Sequence, residues 1–193
     1  EYPFDVDVAN EHLKQGDCKV VVTNYKTGNS AYLSVKKYGW TKTMEATGSL
    51  PIATRGYCKI AGKKFIDGGL SDPLPVKRVY DWGYRKIVLL RTHQKDLKPD
   101  WNLESLYTPL FYRDNPKLQN LILRNDKLYS RQQNYLSNHP NDLELFQIAP
   151  ESALNCGVIS SNLNHIKMDY RYGLELGLDA LPKLRKIAIN LED

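Results

Sequence analysis

The chain has 193 residues, of which 41% are hydrophobic, and a formal net charge of +5 at pH 7. This length can bury a sizeable core and predicts one to two domains. Three widely spaced cysteines, Cys18, Cys58 and Cys156, include no C-x-x-C pair and indicate neither a disulfide framework nor a zinc site. We therefore expect a reducing compartment, the cytoplasm. No apolar run approaches the ~20 residues that a membrane span needs.

The first half of the chain predicts strands and then a helix between strands. Alternating or apolar stretches with turn residues at their ends predict strands over residues 19–25, 31–36 and 57–66. A helix between Pro73 and Trp82 is followed by a buried strand over residues 86–91. This β-turn-α-β order predicts an α/β protein with a parallel sheet flanked by helices.

Residues 65–75 read FIDGGLSDPLP and place Asp67 where a predicted strand ends in two glycines. Gly68 and Gly69 allow positive φ and close backbone approach. The Asp67 carboxylate is therefore expected at a rigid strand end, where it could do chemistry. An ordinary hairpin turn is the structural alternative for Asp-Gly-Gly. Asp72 is the competing carboxylate, and we predict that it caps the helix that begins at Pro73.

The order of these segments resembles one family. ATGSLP at residues 46–51, the β-ribbon, the segment with Asp67 and the helix and strand after it are similar to the C-terminal half of the catalytic domain of bacterial patatin-like phospholipases. PFDVD at residues 3–7 and CKVVVTNYKTG at residues 18–28 also resemble segments of that family. The resemblance runs from Pro3 to Thr92.

The resemblance implies a serine lipid acyl hydrolase that uses a Ser-Asp dyad in a three-layer α/β/α domain. By position the aspartate is Asp67, in the turn made with Gly68 and Gly69. The sequence holds no G-x-S-x-G elbow for the serine and no glycine-rich oxyanion loop before it. The chain also begins with Glu1 rather than Met, so we expect a fragment that holds the second half of the domain, with the nucleophile in the N-terminal half of the parent protein.

Ester hydrolysis by a serine requires a base, and Asp67 can serve as one. A serine hydroxyl is a weak nucleophile until a neighbouring base takes its proton, and a water must then be activated to hydrolyse the acyl intermediate. One carboxylate can serve both steps if a partly apolar pocket raises its pKa. The expected substrate is an acyl lipid or another ester, and no cofactor or metal is predicted.

Positive charge is concentrated in the first half, where residues 1–96 carry 16 Lys/Arg against 10 Asp/Glu. Residues 36–42 are basic and aromatic, and Lys59, Lys63 and Lys64 lie on the ribbon before Asp67. These groups suit peripheral contact with a phospholipid surface, although a solvated ribbon is the simpler interpretation. No basic helix or RNP-like strand appears, so no nucleic-acid partner is predicted.

The character of the chain changes near residue 95, which predicts a catalytic half over residues 1–95 and a mainly helical subdomain over residues 96–193. An Asn115-Pro116 start and apolar residues at helical spacing predict a helix that runs to residue 138. A strand at residues 143–148, a helix at 162–176 and a short last helix from Pro182 follow. IAP at 148–150 and YRYG at 170–173 resemble an extra region of some patatin-like proteins, expected to pack beside the catalytic sheet.

Other candidate chemistry is sparse. The four histidines show no metal-ligand spacing. His93 follows a predicted strand and could act as the histidine of a hydrolase triad, and Cys156 could be a nucleophile, but a lone cysteine is more often a small core residue. A binding or structural module that keeps the fold without turnover is the alternative function.

Overall fold

The computed structural model describes residues 4–50, 56–97, 112–157 and 162–189. The chain divides into two compact units, one formed by Glu1–Pro75 with Pro99–Arg131 and the other by Val76–Lys98 with Gln132–Asp193. The sequence predicted a boundary between residues 95 and 96 from a change in the residue pattern. That boundary stays a prediction. Outside the described residues lie Pro3 and Pro51, which belong to the segments that resemble the patatin-like family. Residues 98–102, which follow the predicted boundary, also lie outside them.

The described residues form helices and strands in a mixed order along the chain. In chain order they are α1 (Val6–Leu13), β1 (Lys19–Asn24), β2 (Ser30–Ser34), α2 (Val35–Tyr38), α3 (Trp40–Thr47), β3 (Cys58–Ile60), β4 (Lys63–Asp67), a 3₁₀ turn (Gly68–Leu70), α4 (Val76–Asp81), β5 (Lys86–Leu90), α5 (Pro116–Leu123), α6 (Asn125–Ser137), β6 (Glu144–Ile148) and α7 (Leu163–Ile189). The mixed α/β class is confirmed.

The first unit contains a four-stranded sheet in the order β2-β1-β4-β3. Every pairing in it is antiparallel, and Val22 of β1 lies opposite Asp67 of β4. The turn between β3 and β4 consists of Ala61 and Gly62, with φ of 47° and 75°. Positive φ at both central residues is what a two-residue hairpin of type I′ requires, and its twist matches that of the strands it joins. The local turn therefore fixes the antiparallel pairing.

The prediction of one parallel sheet through β4 and β5 is wrong. The order strand, turn, helix, strand is present, but β4 belongs to the antiparallel sheet, whereas β5 pairs in parallel with β6 in a separate two-stranded sheet. Parallel pairing therefore exists in the second unit, between strands far apart in sequence. The sequence pattern identified each strand correctly but could not identify its partner.

Both faces of the four-stranded sheet are covered by helices of the same unit. Successive residues of a strand point to opposite faces, and neighbouring Phe65 and Ile66 belong to different cores. On the first face the core includes Ala46 of α3. On the second face Ile66 packs with Leu118 and Ile122 of α5. This arrangement holds β4, and with it Asp67, between two layers of apolar side chains.

The C-terminal helices differ from the prediction in two places. Asn115 caps α5 as predicted, because its Oδ1 accepts the N–H of Leu118 at 3.2 Å. The single predicted helix to residue 138 is two helices, since Arg124 leaves helical geometry with φ −115° and ψ 11°. Conversely, α7 continues through Pro182, although an interior proline removes one backbone hydrogen bond and crowds the carbonyl four residues before it. Within the described residues, no helix is long and apolar enough to cross a membrane.

Candidate active site

The backbone of Asp67 is held on both sides at the end of β4. Its N–H donates to the carbonyl oxygen of Ser49 at 3.0 Å. Its carbonyl oxygen accepts the hydroxyl of Thr23 at 2.6 Å. Ser49 lies just after α3 and Thr23 lies on β1, so two neighbouring elements fix the position of this residue. The rigid strand end that the sequence predicted is present.

The carboxylate of Asp67 has one oxygen bound and one oxygen open. Oδ1 accepts the backbone N–H of Gly69 at 2.7 Å, so Asp67 caps the 3₁₀ turn that follows it. Among the described residues, none donates a hydrogen bond to Oδ2. The side chain is half-buried, and this desolvation raises the pKa of Asp67, with the Gly69 N–H acting in the opposite direction. The Asp67 carboxylate therefore has a fixed orientation, an oxygen with no donor among the described residues, and a raised pKa.

Gly68 and Gly69 are required for a reason other than positive φ. Neither residue has positive φ, so that part of the prediction is wrong. The predicted close backbone approach is present, because a Cβ built on Gly68 would lie 2.2 Å from the carbonyl oxygen of Val21. A Cβ on Gly69 would lie 3.1 Å from Oδ1 of Asp67. Glycine at residue 68 lets the turn pass directly against β1.

Two buried polar side chains that the sequence did not single out support this turn. Asn125, only 1% exposed, donates from Nδ2 to the carbonyl oxygens of Gly69 at 3.0 Å and Leu70 at 3.1 Å. Thr23 is fully buried, and its hydroxyl lies 2.8 Å from Oγ of Ser71 as well as close to Asp67. The sequence feature that could have identified Asn125 is a single amide within a helical stripe of apolar residues. It lies where α5 ends and α6 begins.

Asp72 does not cap the helix that follows it, so that prediction is wrong. α4 begins at Val76, and the residue before it is Pro75. A residue that precedes proline is biased away from helical geometry, so the prolines at residues 73 and 75 delay the start of the helix. The carboxylate of Asp72 instead accepts the phenolic hydroxyl of Tyr32 on β2. The competing carboxylate is thus bound to the sheet.

The other candidates do not form a recognisable site. His93 is exposed and follows β5. Cys156 is half-buried, and its backbone N–H donates to the carboxylate of Asp169 at 2.8 Å, whereas Cys58 is a core residue. In the described part of the chain, no group of three or more His, Cys, Asp or Glu side chains could hold a metal ion.

The basic and aromatic residues 36–42 divide into structural and exposed groups. Trp40 donates from its indole nitrogen to Oδ1 of Asn10 at 2.9 Å and packs against the core. Lys42 pairs with Glu45 at 2.7 Å. Lys36 and Lys37 are exposed. Contact with a membrane surface stays a prediction that rests on the exposed lysines.

Comparison with known proteins adds two similarities. Residues 115–188 match a family described as a domain of unknown function (DUF6363). The uncharacterized protein YjjU of Escherichia coli (strain K12) is 24% identical over 165 residues, which cover 81% of this chain and 44% of YjjU. The chain therefore spans less than half the length of this curated relative. The family match includes Asn125 and lies outside the segment that holds Asp67.

Proposed function

We propose that this chain is part of a patatin-like serine lipid acyl hydrolase in which Asp67 is the base of a Ser-Asp dyad. The nucleophilic serine and the oxyanion donors belong to a segment outside this sequence. One observation carries the proposal: a half-buried carboxylate at the end of β4 has Oδ1 held by Gly69, and no donor to Oδ2 among the described residues. The resemblance of residues 46–51 and 65–75 to that family supports it.

The geometry of Asp67 suits a general base. A base must meet the hydroxyl proton within about 2.6–3.2 Å, and catalysis falls steeply when the acceptor is misplaced. The hydrogen bonds to Ser49, Thr23 and Gly69 limit movement of this residue. Because burial raises its pKa, the ionised carboxylate accepts a proton more readily than an exposed aspartate does. The open oxygen would take the serine proton and later that of the hydrolytic water.

The proposed architecture is a larger three-layer α/β/α domain of which the four-stranded sheet is one part. The core contacts of α3 on one face of this sheet and α5 on the other support that arrangement. The N-terminal half of the parent protein would complete the sheet and add the nucleophile elbow. An ester bond of a phospholipid or another acyl lipid is the proposed substrate, reached by peripheral contact of a cytoplasmic protein with a membrane surface.

A second candidate is a binding or structural module that keeps this fold without turnover. The observation in its favour is that the Asp-Gly-Gly sequence has a complete structural explanation. Asp67 caps the 3₁₀ turn, and Gly68 permits the close approach to Val21. A protein could keep these residues for folding alone.

Asp67→Asn in the parent protein, which carries the upstream segment, separates the two candidates. Asparagine keeps the size of the side chain and an oxygen for the Gly69 N–H, but it cannot take a proton. If Asp67 is the base, kcat for a short-chain ester falls by the ~10²–10⁴ typical of a general base, while Tm is preserved. Asp72→Asn is the matched control, because this nearby carboxylate is bound to Tyr32.

Two results would contradict the dyad. Wild-type kcat in Asp67→Asn would assign this residue to the turn alone. A larger loss in Asp72→Asn than in Asp67→Asn would move the base five residues along the chain.

The 193-residue chain alone is expected to hydrolyse no ester, because a base without a nucleophile and oxyanion donors contributes little to the rate. Turnover by this chain that Asp67→Ala leaves unchanged would refute the assignment.

A further inference from the structure

A basic cleft of about 680 Å³ lies in the first unit, between the β1–β2 turn and the helices α5 and α6. Its lining includes four cationic side chains and two polar side chains of the turn: Lys117, Arg124, Lys127, Arg131, Thr27 and Asn29. Lys117 lies on α5, Arg124 lies between α5 and α6, and Lys127 and Arg131 lie on α6. We refer to this cavity as the basic cleft.

The positive charge of the basic cleft has no acidic counterpart in the described lining. None of the described residues that line it is an aspartate or a glutamate. Within the described chain, none of its four cations forms a salt bridge. Like charges four residues apart on a helix disfavour that helix, as at Lys127 and Arg131 of α6. Four converging cations therefore lower stability unless an anion joins them.

The turn beside the basic cleft contributes side chains rather than free backbone groups. The N–H groups of Lys26 and Thr27 donate to Oδ1 of Asn24, at 3.0 and 3.1 Å. The N–H of Gly28 donates to the carbonyl oxygen of Asn24, and that of Asn29 to the hydroxyl of Thr27. With these donors already engaged, an anion would be bound by cationic side chains and by the Thr27 and Asn29 side chains.

We infer that the basic cleft binds a phosphate-bearing ligand. A phosphomonoester carries about −1.5 to −2 charges at pH 7 and several acceptor oxygens, so it offsets more of the charge of the four cations than a single carboxylate does. The guanidinium groups of Arg124 and Arg131 can each hold two phosphate oxygens, and the ammonium groups of Lys117 and Lys127 add charge. A single carboxylate would leave most of this charge unbalanced.

The remaining lining indicates an amphiphilic ligand rather than a nucleic acid. Leu121 and Leu128 add apolar surface to the basic cleft, as the acyl portion of a lipid would require. Its described lining includes no aromatic side chain on which bases could stack. The phosphate can belong to the head group of an anionic lipid or to a soluble phosphoester, and the experiment distinguishes these two sources.

Binding is tested on the wild-type protein with two kinds of probe. Glycerol 3-phosphate is titrated by calorimetry, and co-sedimentation is measured with vesicles of phosphatidylcholine, with and without phosphatidic acid. The test variant is Arg124→Gln with Lys127→Gln. The matched control is Lys167→Gln with Lys186→Gln, which removes the same charge from exposed positions of α7. We expect the cleft variant to bind at least about tenfold more weakly, whereas the control binds like wild type and neither variant has a lower Tm than wild type.

The two probes identify the source of the phosphate. Binding to phosphatidic acid vesicles but not to pure phosphatidylcholine assigns a lipid head group, and binding to glycerol 3-phosphate alone assigns a soluble phosphoester. Two results overturn the proposal: no binding of either probe to wild type, or equal weakening in both variants. Asp67→Asn is expected to bind both probes like wild type. Failure of this test can therefore be distinguished from failure of the proposed Ser-Asp dyad.

Discussion

The backbone of Gly68 passes so close to Val21 that a Cβ at residue 68 would lie 2.2 Å from the Val21 carbonyl oxygen. The same oxygen accepts the hydroxyl of Thr47 at 2.8 Å. The obstacle is backbone that is already engaged in a hydrogen bond, so it cannot rotate away as a flexible side chain could. Asp67 owes its position to this contact between the turn and β1.

Gly68→Ala is therefore expected to destabilise the protein. Forcing a methyl group into filled space typically costs about 1–3 kcal/mol, and occasionally more. The measurement is the free energy of unfolding in urea. Gly16→Ala is the control, because a Cβ there meets nothing within 4 Å and φ is not positive. Equal stability of the two variants would contradict the close approach.

Asn125→Ala is expected to loosen the turn that carries Asp67. The substitution leaves the carbonyl oxygens of Gly69 and Leu70 without the Nδ2 donor, and an unsatisfied buried polar group costs about 1–3 kcal/mol. The exposed Asn134, on the same helix, provides the control Asn134→Ala. We expect a lower free energy of unfolding for Asn125→Ala only, with faster amide exchange at residues 69–71. Slow exchange there in both variants would show that Asn125 does not hold the turn.

Asp67 should make stability depend on pH in an unusual direction for an aspartate. Burial raises its pKa in the folded state above the ordinary 3.8. The folded protein therefore binds this proton more tightly than the unfolded chain does, and stability is lost as pH rises through the folded-state pKa. Asp67→Asn cannot ionise. The free energy of unfolding of wild type, minus that of Asp67→Asn, is expected to decrease between about pH 3 and pH 7.

Asp169 is expected to make stability depend on pH in the direction opposite to that of Asp67. Its carboxylate accepts the backbone N–H groups of Asn155 and Cys156, at 3.0 and 2.8 Å, and these bonds lower the pKa of Asp169 to about 2. Its contribution to stability is present above the ordinary pKa and is lost as pH falls. The free energy of unfolding of wild type, minus that of Asp169→Asn, should therefore increase as pH rises from about pH 2 to about pH 5. A pH-independent difference for Asp67→Asn would show that its carboxyl is not perturbed by burial.

The sequence located the turn correctly but attributed it to the wrong property of glycine. Positive φ and close approach both favour glycine, and one sequence cannot separate them, since the second depends on where β1 passes. The same limit applies to Asp72. Its spacing from the predicted helix suggested a cap, but the carboxylate bonds to Tyr32, 40 residues earlier in the chain.

Local sequence determined the elements of this protein: the strands around Asp67, the Ala61-Gly62 turn and the Asn115 cap, because each depends on interactions between residues close in the chain. Only the tertiary structure decided which strands pair, that Thr23 and Asn125 support the turn, and that residues 27–29 meet α5 and α6 around one cleft. Apart from the β1–β2 and β3–β4 hairpins, these contacts join residues 40 or more positions apart. Their geometry is set by packing of the whole unit, which no local pattern encodes.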